Sequence, residues 1–243
     1  MKPRYQHEQR RDAPNPLETW KPKTALGKQV QTGAITDIDA ILDSGQPILE
    51  AEIVDTLLPN MASDLLGIGQ SKGKFGGGKR TIWRQTQKKT SEGNKPKFSA
   101  LCVIGNKNGY VGIGFGKAKE TVPAREKSVR KSKINIMKIR RGCGSWECGC
   151  GKPHSIPFKI IGKCGSVIMH LIPAPRGTGL CVEQECGKIL AFAGIKDIYA
   201  QTFGQTRTKM NVIGACVDAL KKLSAMKVQP DSIISSGLTE GKI

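Results

Sequence analysis

Residues 98–116 read F-S-A-L-C-V-I-G-N-K-N-G-Y-V-G-I-G-F-G. Two apolar runs, F-S-A-L-C-V-I-G and Y-V-G-I-G-F-G, flank Asn106-Lys107-Asn108-Gly109. Asn-Gly between apolar runs is the strongest short-range hairpin signal, because both residues tolerate the positive φ of a tight turn. The stretch therefore predicts two antiparallel strands. Gly112, Gly114 and Gly116 alternate along the second. Side chains alternate faces along a strand, so these glycines leave one face bare for a close approach.

A helix is expected next. In residues 117–139 Thr121 is the candidate N-cap, Pro123 sits in the first turn, and Glu120 and Glu126 lie near the start. Val122, Val129, Ile134 and Met137 mark its apolar face, and Lys127, Arg130, Lys131 and Lys133 crowd the rest. Strand, strand and basic helix outline a double-stranded-RNA-binding-like domain, which reads phosphates and 2′-hydroxyls by shape.

Upstream, residues 71–97 are Gly-rich and basic. G-K-F-G-G-G-K-R lacks the G-x-x-x-x-G-K-[ST] spacing of a phosphate loop, and no strand precedes it. Phe75 and Trp83 suit stacking on RNA bases, although Trp83 reads equally as a buried residue. Residues 31–70 contain seven acids and no Lys or Arg. Helical spacing of Ile35, Ile38, Ile41 and Leu42, a capping Asp37, and the break at Gly45-Gln46-Pro47 predict two short helices packing on the next domain. Residues 1–30, with four prolines and few large apolar side chains, read as an extended arm.

Charge says what these elements face. The 243 residues carry a formal net charge of +19 and a pI near 9.7. Residues 71–141 hold 20 Lys and Arg against three acids, so nearly the whole excess lies in one block. That predicts a polyanionic partner bound with counterion release, hence nucleic acid. A membrane surface is disfavoured, since the block lacks a basic helix with a bulky apolar face. No apolar run approaches the roughly 20 residues that span a bilayer. The N-terminus lacks the apolar core of a secretory signal, so a cytoplasmic location with reduced cysteines is expected.

Downstream, Cys143, Cys148, Cys150 and His154 fall within twelve residues, spaced C-x₄-C-x-C-x₃-H. Three thiols and an imidazole would fill a zinc tetrahedron, which makes a closed structural site, and Gly142, Gly144, Gly149 and Gly151 free the chain to wrap it. The other reading is free thiols packed against Trp146 or RNA. The cluster lies between two domains, so a metal there would clip them together.

Ile156–Ile161 and Ser166–Ile172 then read as strands, with Gly162 and Gly165 around their turn. Residues 173–179, P-A-P-R-G-T-G, form a rigid loop, and Leu180–Val182 a short strand. A short helix carries Ile189, Leu190 and Phe192 and ends near Gly194. Asp197–Thr202 is a further strand, and 209–225 a closing helix. This is a second, charge-balanced domain with its own core, followed by a loose tail. Cys102, Cys164, Cys181, Cys186 and Cys216 read as small core residues. The expected organisation is arm 1–30, helical segment 31–70, basic domain 71–141, Cys/His junction 142–155, α+β domain 156–226 and tail 227–243.

Catalysis is not expected, nor a small-molecule substrate. His7, His154 and His170 pair with no recognisable nucleophile, and the basic block lacks carboxylates for a two-metal nuclease.

The hairpin with K-A-K-E, then G-K-P-H-S-I-P, G-K-C-G-S-V, L-I-P-A-P-R-G-T-G, A-G-I-K-D and Q-T-F-G-Q-T-R-T, resembles the small-subunit ribosomal protein five family over roughly residues 50–225. The cysteine cluster and the A-P-R-G-T-G form give it an archaeal-type look. The resemblance implies an α+β fold of two domains, an N-terminal double-stranded-RNA-binding-like sheet plus helix and a C-terminal βαβα domain with a left-handed crossover. It implies a structural constituent of the small ribosomal subunit that binds small-subunit rRNA and contributes to its assembly. It further implies ribosomal proteins four and eight as neighbours, and a role at the mRNA entry path and in decoding accuracy. By position that role carries to Lys88, Lys89, Lys95 and Lys97. The full set of expected RNA contacts adds Lys72, Lys74, Lys79, Arg80, Arg84, Lys117, Lys119, Arg125, Arg130, Lys131, Arg140, Arg141 and Arg176. A free double-stranded-RNA-binding chaperone or regulator is the alternative that the bare sequence leaves open.

Overall fold

The computed structural model describes residues 20–71, 73, 80–229, 233 and 236–241. The arm's first nineteen residues lie outside the described residues, as do Lys72, Lys74, Phe75 and Lys79. The chain runs α1 (Ala25–Gln31), α2 (Ile38–Asp43), α3 (Ala51–Leu57), β1 (Ala62–Leu66), β2 (Arg84–Thr90), β3 (Gly93–Gly105), β4 (Tyr110–Ala118), α4 (Thr121–Ile134), β5 (Ile136–Lys138) and β6 (Arg140–Arg141). It continues through β7 (Ile160–Cys164), β8 (Val167–Pro173), β9 (Leu180–Cys181), α5 (Gln184–Ala193), β10 (Ile198–Phe203), α6 (Lys209–Ala225) and β11 (Thr239–Glu240).

The hairpin forms as expected. β3 and β4 pair antiparallel from Phe98↔Ala118 to Gly105↔Val111, and the turn uses positive φ at Lys107 and Gly109. The bare glycine face is covered by α4 at backbone distance. A Cβ on Gly114 would lie 2.2 Å from Ser132 N, and one on Gly116 would lie 2.2 Å from Ala124 O. This close packing corrects the expected apolar stripe. α4 buries the small residues Ala124, Ser128 and Ser132, while Val122 is 64% exposed. Glu120, one residue earlier than expected, is the N-cap.

β3 is long enough to take two partners on its other edge. β1 pairs with Leu101–Gly105 and β2 with Gly93–Ser99, giving an antiparallel sheet in the order β1-β3-β4-β5 with β2 beside β3. Both β1 and β2 correct the sequence reading. Ala62–Leu66 is a strand inside the supposed helical segment, and Arg84–Thr90 is a strand inside the supposed basic loop.

The helices begin earlier than expected, at Ala25, and number three. Leu26, Val30, Ile38, Ile41, Ile48, Ile53 and Val54 form a small core closed by Tyr110 and Ile136 of the sheet. Tyr110 Oη donates to Asp39 at 2.7 Å. Glu50 ties down the end of the arm, accepting from Trp20 Nε1, Lys23 N and Thr24 N at 2.7–2.9 Å. Burial raises the Glu50 pKa, but the hydrogen bonds from Thr24, Lys23 and Trp20 bring it below its ordinary value. The acids of this segment also neutralise part of the basic domain, through Asp55–Lys133 at 2.6 Å and Asp43–Lys138 at 3.2 Å.

In the second sheet the order is β7-β8-β10-β9, with β9 and β10 parallel and joined by α5. The first strand runs over Ile160–Cys164 instead of Ile156–Ile161, and Gly162 sits inside it. A Cβ there would lie 2.0 Å from Ala215 O of α6, so this glycine serves helix packing, and Gly165 (φ +60) makes the turn. α5 ends at Gly194 in the left-handed conformation, and α6 spans the expected residues.

One apolar cluster runs through both sheets. Leu66, Leu101, Val103 and Val111 join Ile156, Met169, Leu171, Ile189, Leu190, Val212, Leu220 and Leu223. The second domain's expected separate core is thus continuous with the first. Cys186 and Cys216 are buried in it and Cys102 is buried outside it, whereas Cys164 is half-buried and Cys181 exposed. The tail is not loose over its described residues. β11 pairs with β6, and Cys143 N donates to Ser236 O at 2.8 Å.

Candidate nucleic-acid interface and metal centre

Beyond Phe98, β3 leaves β4 and continues with β2 alone as a two-stranded ribbon of residues 86–97. Every residue of 91–97 and all of β2 but Thr90 is exposed. Cross-strand partners share a face, so Thr86↔Lys97 and Lys88↔Lys95 put three cations on one side, in line with Arg84. Like charges directly opposed destabilise a ribbon. Glu92 offsets this with one exposed ion pair to Lys95 at 2.7 Å. Lys89 lies on the other face, opposite Asn94. Trp83 at the base is half-buried.

A second basic surface is the outer side of α4, where Arg125, Lys127, Arg130 and Lys131 are exposed, with Lys117 and Lys119 at the end of β4. Three expected contacts are placed differently. Arg80 donates to Gly69 O and Arg207 O. Arg140 is bound to Glu240 and Met226 O. Arg141 is only 4% exposed. Arg176 is exposed, on the loop before β9.

The cysteine loop is closed at its base by paired bonds between Gly142 and Ser155, at 2.9 and 3.0 Å. Gly144 passes so close to Pro157 that no Cβ fits. Within the loop, ligand atoms of Cys143, Cys148, Cys150 and His154 all lie within 4.8 Å of one another. A zinc tetrahedron with Zn–S arms of about 2.3 Å has edges of about 4 Å, so the donor set fits such an ion. Trp146 is 92% exposed and does not cover the thiols. The backbone N–H groups of Arg176 and Cys150 hold the Cys148 thiol down at about 6, which favours the ligating thiolate. Burial and the neighbouring thiols push Cys143 up.

His154 Nδ1 lies 2.8 Å from Asp197 Oδ2, which directs Nε2 toward the thiols, 3.9 Å from Cys148 Sγ. The other Asp197 oxygen accepts from Gly177 N and Gly179 N. One buried carboxylate thereby fixes both the imidazole and the 173–179 loop. Sequence reasoning missed this residue, 43 positions from its histidine.

The family model described as ribosomal protein S5, N-terminal domain, matches residues 82–140. The one described as ribosomal protein S5, C-terminal domain, matches residues 162–231. Three archaeal proteins called small ribosomal subunit protein uS5 align over nearly the whole chain. That of Nanoarchaeum equitans is 49% identical, across 93% of this chain and 97% of its own length. That of Methanocaldococcus jannaschii is 44% identical, across 93% and 98%. That of Methanobrevibacter smithii is 45% identical, across 91% and 97%.

Proposed function

We propose, from the premise that the chain belongs to the ribosomal protein S5 family, that it is a non-enzymatic structural constituent of the small ribosomal subunit in the cytoplasm. It binds small-subunit rRNA and contributes to the subunit's assembly. Its neighbours are ribosomal proteins four and eight. At the mRNA entry path it contributes to decoding accuracy. The observation that carries the RNA contact is the lysine-bearing ribbon. Its cations are exposed and, Lys95 apart, make no ion pair with a described residue. Arg84, Lys88, Lys89, Lys95 and Lys97 there, and Lys117, Lys119, Arg125, Arg130 and Lys131 on the α4 side, contact phosphates, while Arg80 and Arg140 hold the fold.

Cys143, Cys148, Cys150 and His154 hold one zinc ion. Zinc there supplies a structural cross-link between the loop's two ends.

Replacing Lys88, Lys89, Lys95 and Lys97 together by Gln tests the ribbon. Affinity for a small-subunit rRNA fragment falls, and the slope of log affinity on log salt drops by about 3 to 4. An unchanged slope would refute the contact. In high-salt sedimentation the native chain stays with the small subunit; release would favour the free regulator instead.

A further inference from the structure

A cavity of about 800 Å³ opens where the β3–β4 turn, the end of α5, the cysteine loop and the 173–179 loop meet. Five cations converge on it: Lys107, Arg141, Lys152, Arg176 and Lys196. None of them forms an ion pair with any described residue. Asp197 is the one acid among the lining residues. Its carboxylate is already committed to His154, Gly177 and Gly179.

Arg141 is the telling residue. It is 4% exposed, its Nη2 donates to Gly241 O at 3.2 Å, and its Nε has no acceptor among the described residues. Partly buried lysines elsewhere are matched with carboxylates: Lys133 with Asp55, Lys138 with Asp39 and Asp43, Lys209 with Glu183. A guanidinium taken out of water without a counter-charge is costly, and an anion in the adjoining cavity would offset that cost. Its planar fork matches two oxygens of a phosphate, and four flexible cations at the mouth suit a group that carries more charge than a carboxylate.

The geometry points to a phosphate-binding site in this cavity, with Arg141 at its floor and Lys107, Lys152, Arg176 and Lys196 at its rim, occupied by a backbone phosphate of an RNA strand. The choice of RNA as the source rests on the proposed RNA contact; the phosphate chemistry rests on the cavity alone. The site is distinct from the ribbon, which belongs to the other end of β3. Asp197 links it to the cysteine loop, since the same carboxylate that orients His154 shapes the cavity's wall.

The test follows the Arg141 Nε–H and Gly177 amide resonances in the ¹⁵N-labelled full chain. Inorganic phosphate and a single-stranded uridine tetranucleotide are titrated separately. Both shift the Arg141 signal, and the tetranucleotide half-saturates at a concentration about tenfold lower. Arg176→Gln and Lys196→Gln, both at exposed positions, each raise that concentration about fivefold. They keep the test open where Arg141→Gln fails to fold. A response to phosphate with no tighter response to the tetranucleotide upholds the phosphate site and removes RNA as its occupant. Silence from Arg141 toward both probes overturns the site, even if the ribbon still binds rRNA. A shift produced only by deleting residues 242–243 also overturns it, because the counter-charge would then be the chain's own end. Conversely, a ribbon variant that loses rRNA affinity but keeps the Arg141 shift separates the two readings.

Discussion

Glu50 and Asp197 show how single carboxylates hold this molecule's joints. Glu50 gathers three donors from the end of the arm, and its folded pKa lies below the ordinary 4.5. A depressed carboxylate stabilises above its unfolded pKa, and that contribution is lost as pH falls through the folded value. The docking of α1 is therefore intact above about pH 4.5 and weakens below it. Amide exchange in α1 measures this: protection drops in acid for the native chain, and is lower with a flatter pH response in Glu50→Gln. Asp197→Asn removes the charge that orients His154, and metal affinity falls by about 10- to 100-fold, read by competition with a chromogenic chelator. The four candidate ligands were legible because they lie within one loop. Asp197 and Glu50 were not, because what makes a carboxylate structural is its distant partner, and no local pattern names that partner.

The packing of α4 on β4 decides the first domain at the scale of elements. Gly114→Ala drives a Cβ into the backbone at Ser132 N and Ser128 O, 2.2 and 2.3 Å away. Neither atom can move without lifting the helix, so a loss of about 3 kcal/mol is expected in urea unfolding. Gly187→Ala is the contrast. It lies inside α5 with its nearest neighbour at 3.5 Å, and stability rises by about 0.5–1 kcal/mol. α6 and the β3–β4 hairpin were legible because each buries one regular face against the core. α4 misled because its buried residues are small, and a stripe of Ala and Ser carries little hydrophobic signal. β2 was invisible for a related reason. R-Q-T-Q-K-K-T has no apolar alternation, since neither face of the ribbon is buried.

The whole molecule is held as one body by contacts far apart in sequence. The turn between β3 and β4 seats on α5, with Lys107 N and Gly109 N satisfying the terminal carbonyls of Phe192 and Ala193 at 2.9 and 3.1 Å. The tail reaches from the cysteine loop, at Ser236, to β6 at Thr239 and on to Arg141 at Gly241. If the cluster is metallated, elemental analysis gives one zinc per chain, lost in Cys148→Ser. A chelator then lowers the melting temperature, and removing residues 230–243 loosens the loop and speeds Cys143 alkylation. No zinc in folded protein would return the cluster to free thiols.

By itself the sequence determined the hairpin, the closing helix, the close approach at Gly112–Gly116, the basic block and the cysteine cluster. Each is a local pattern, in which spacing or composition carries the physical constraint. Only the tertiary structure decided that the two domains share a core, that β2 extends β3 into a charged ribbon, and that the tail straps the junction. It alone also placed Arg141 beneath a ring of cations that have no ion pair among the described residues. These depend on which distant residues meet, and pairing energy between segments leaves no periodicity in either one.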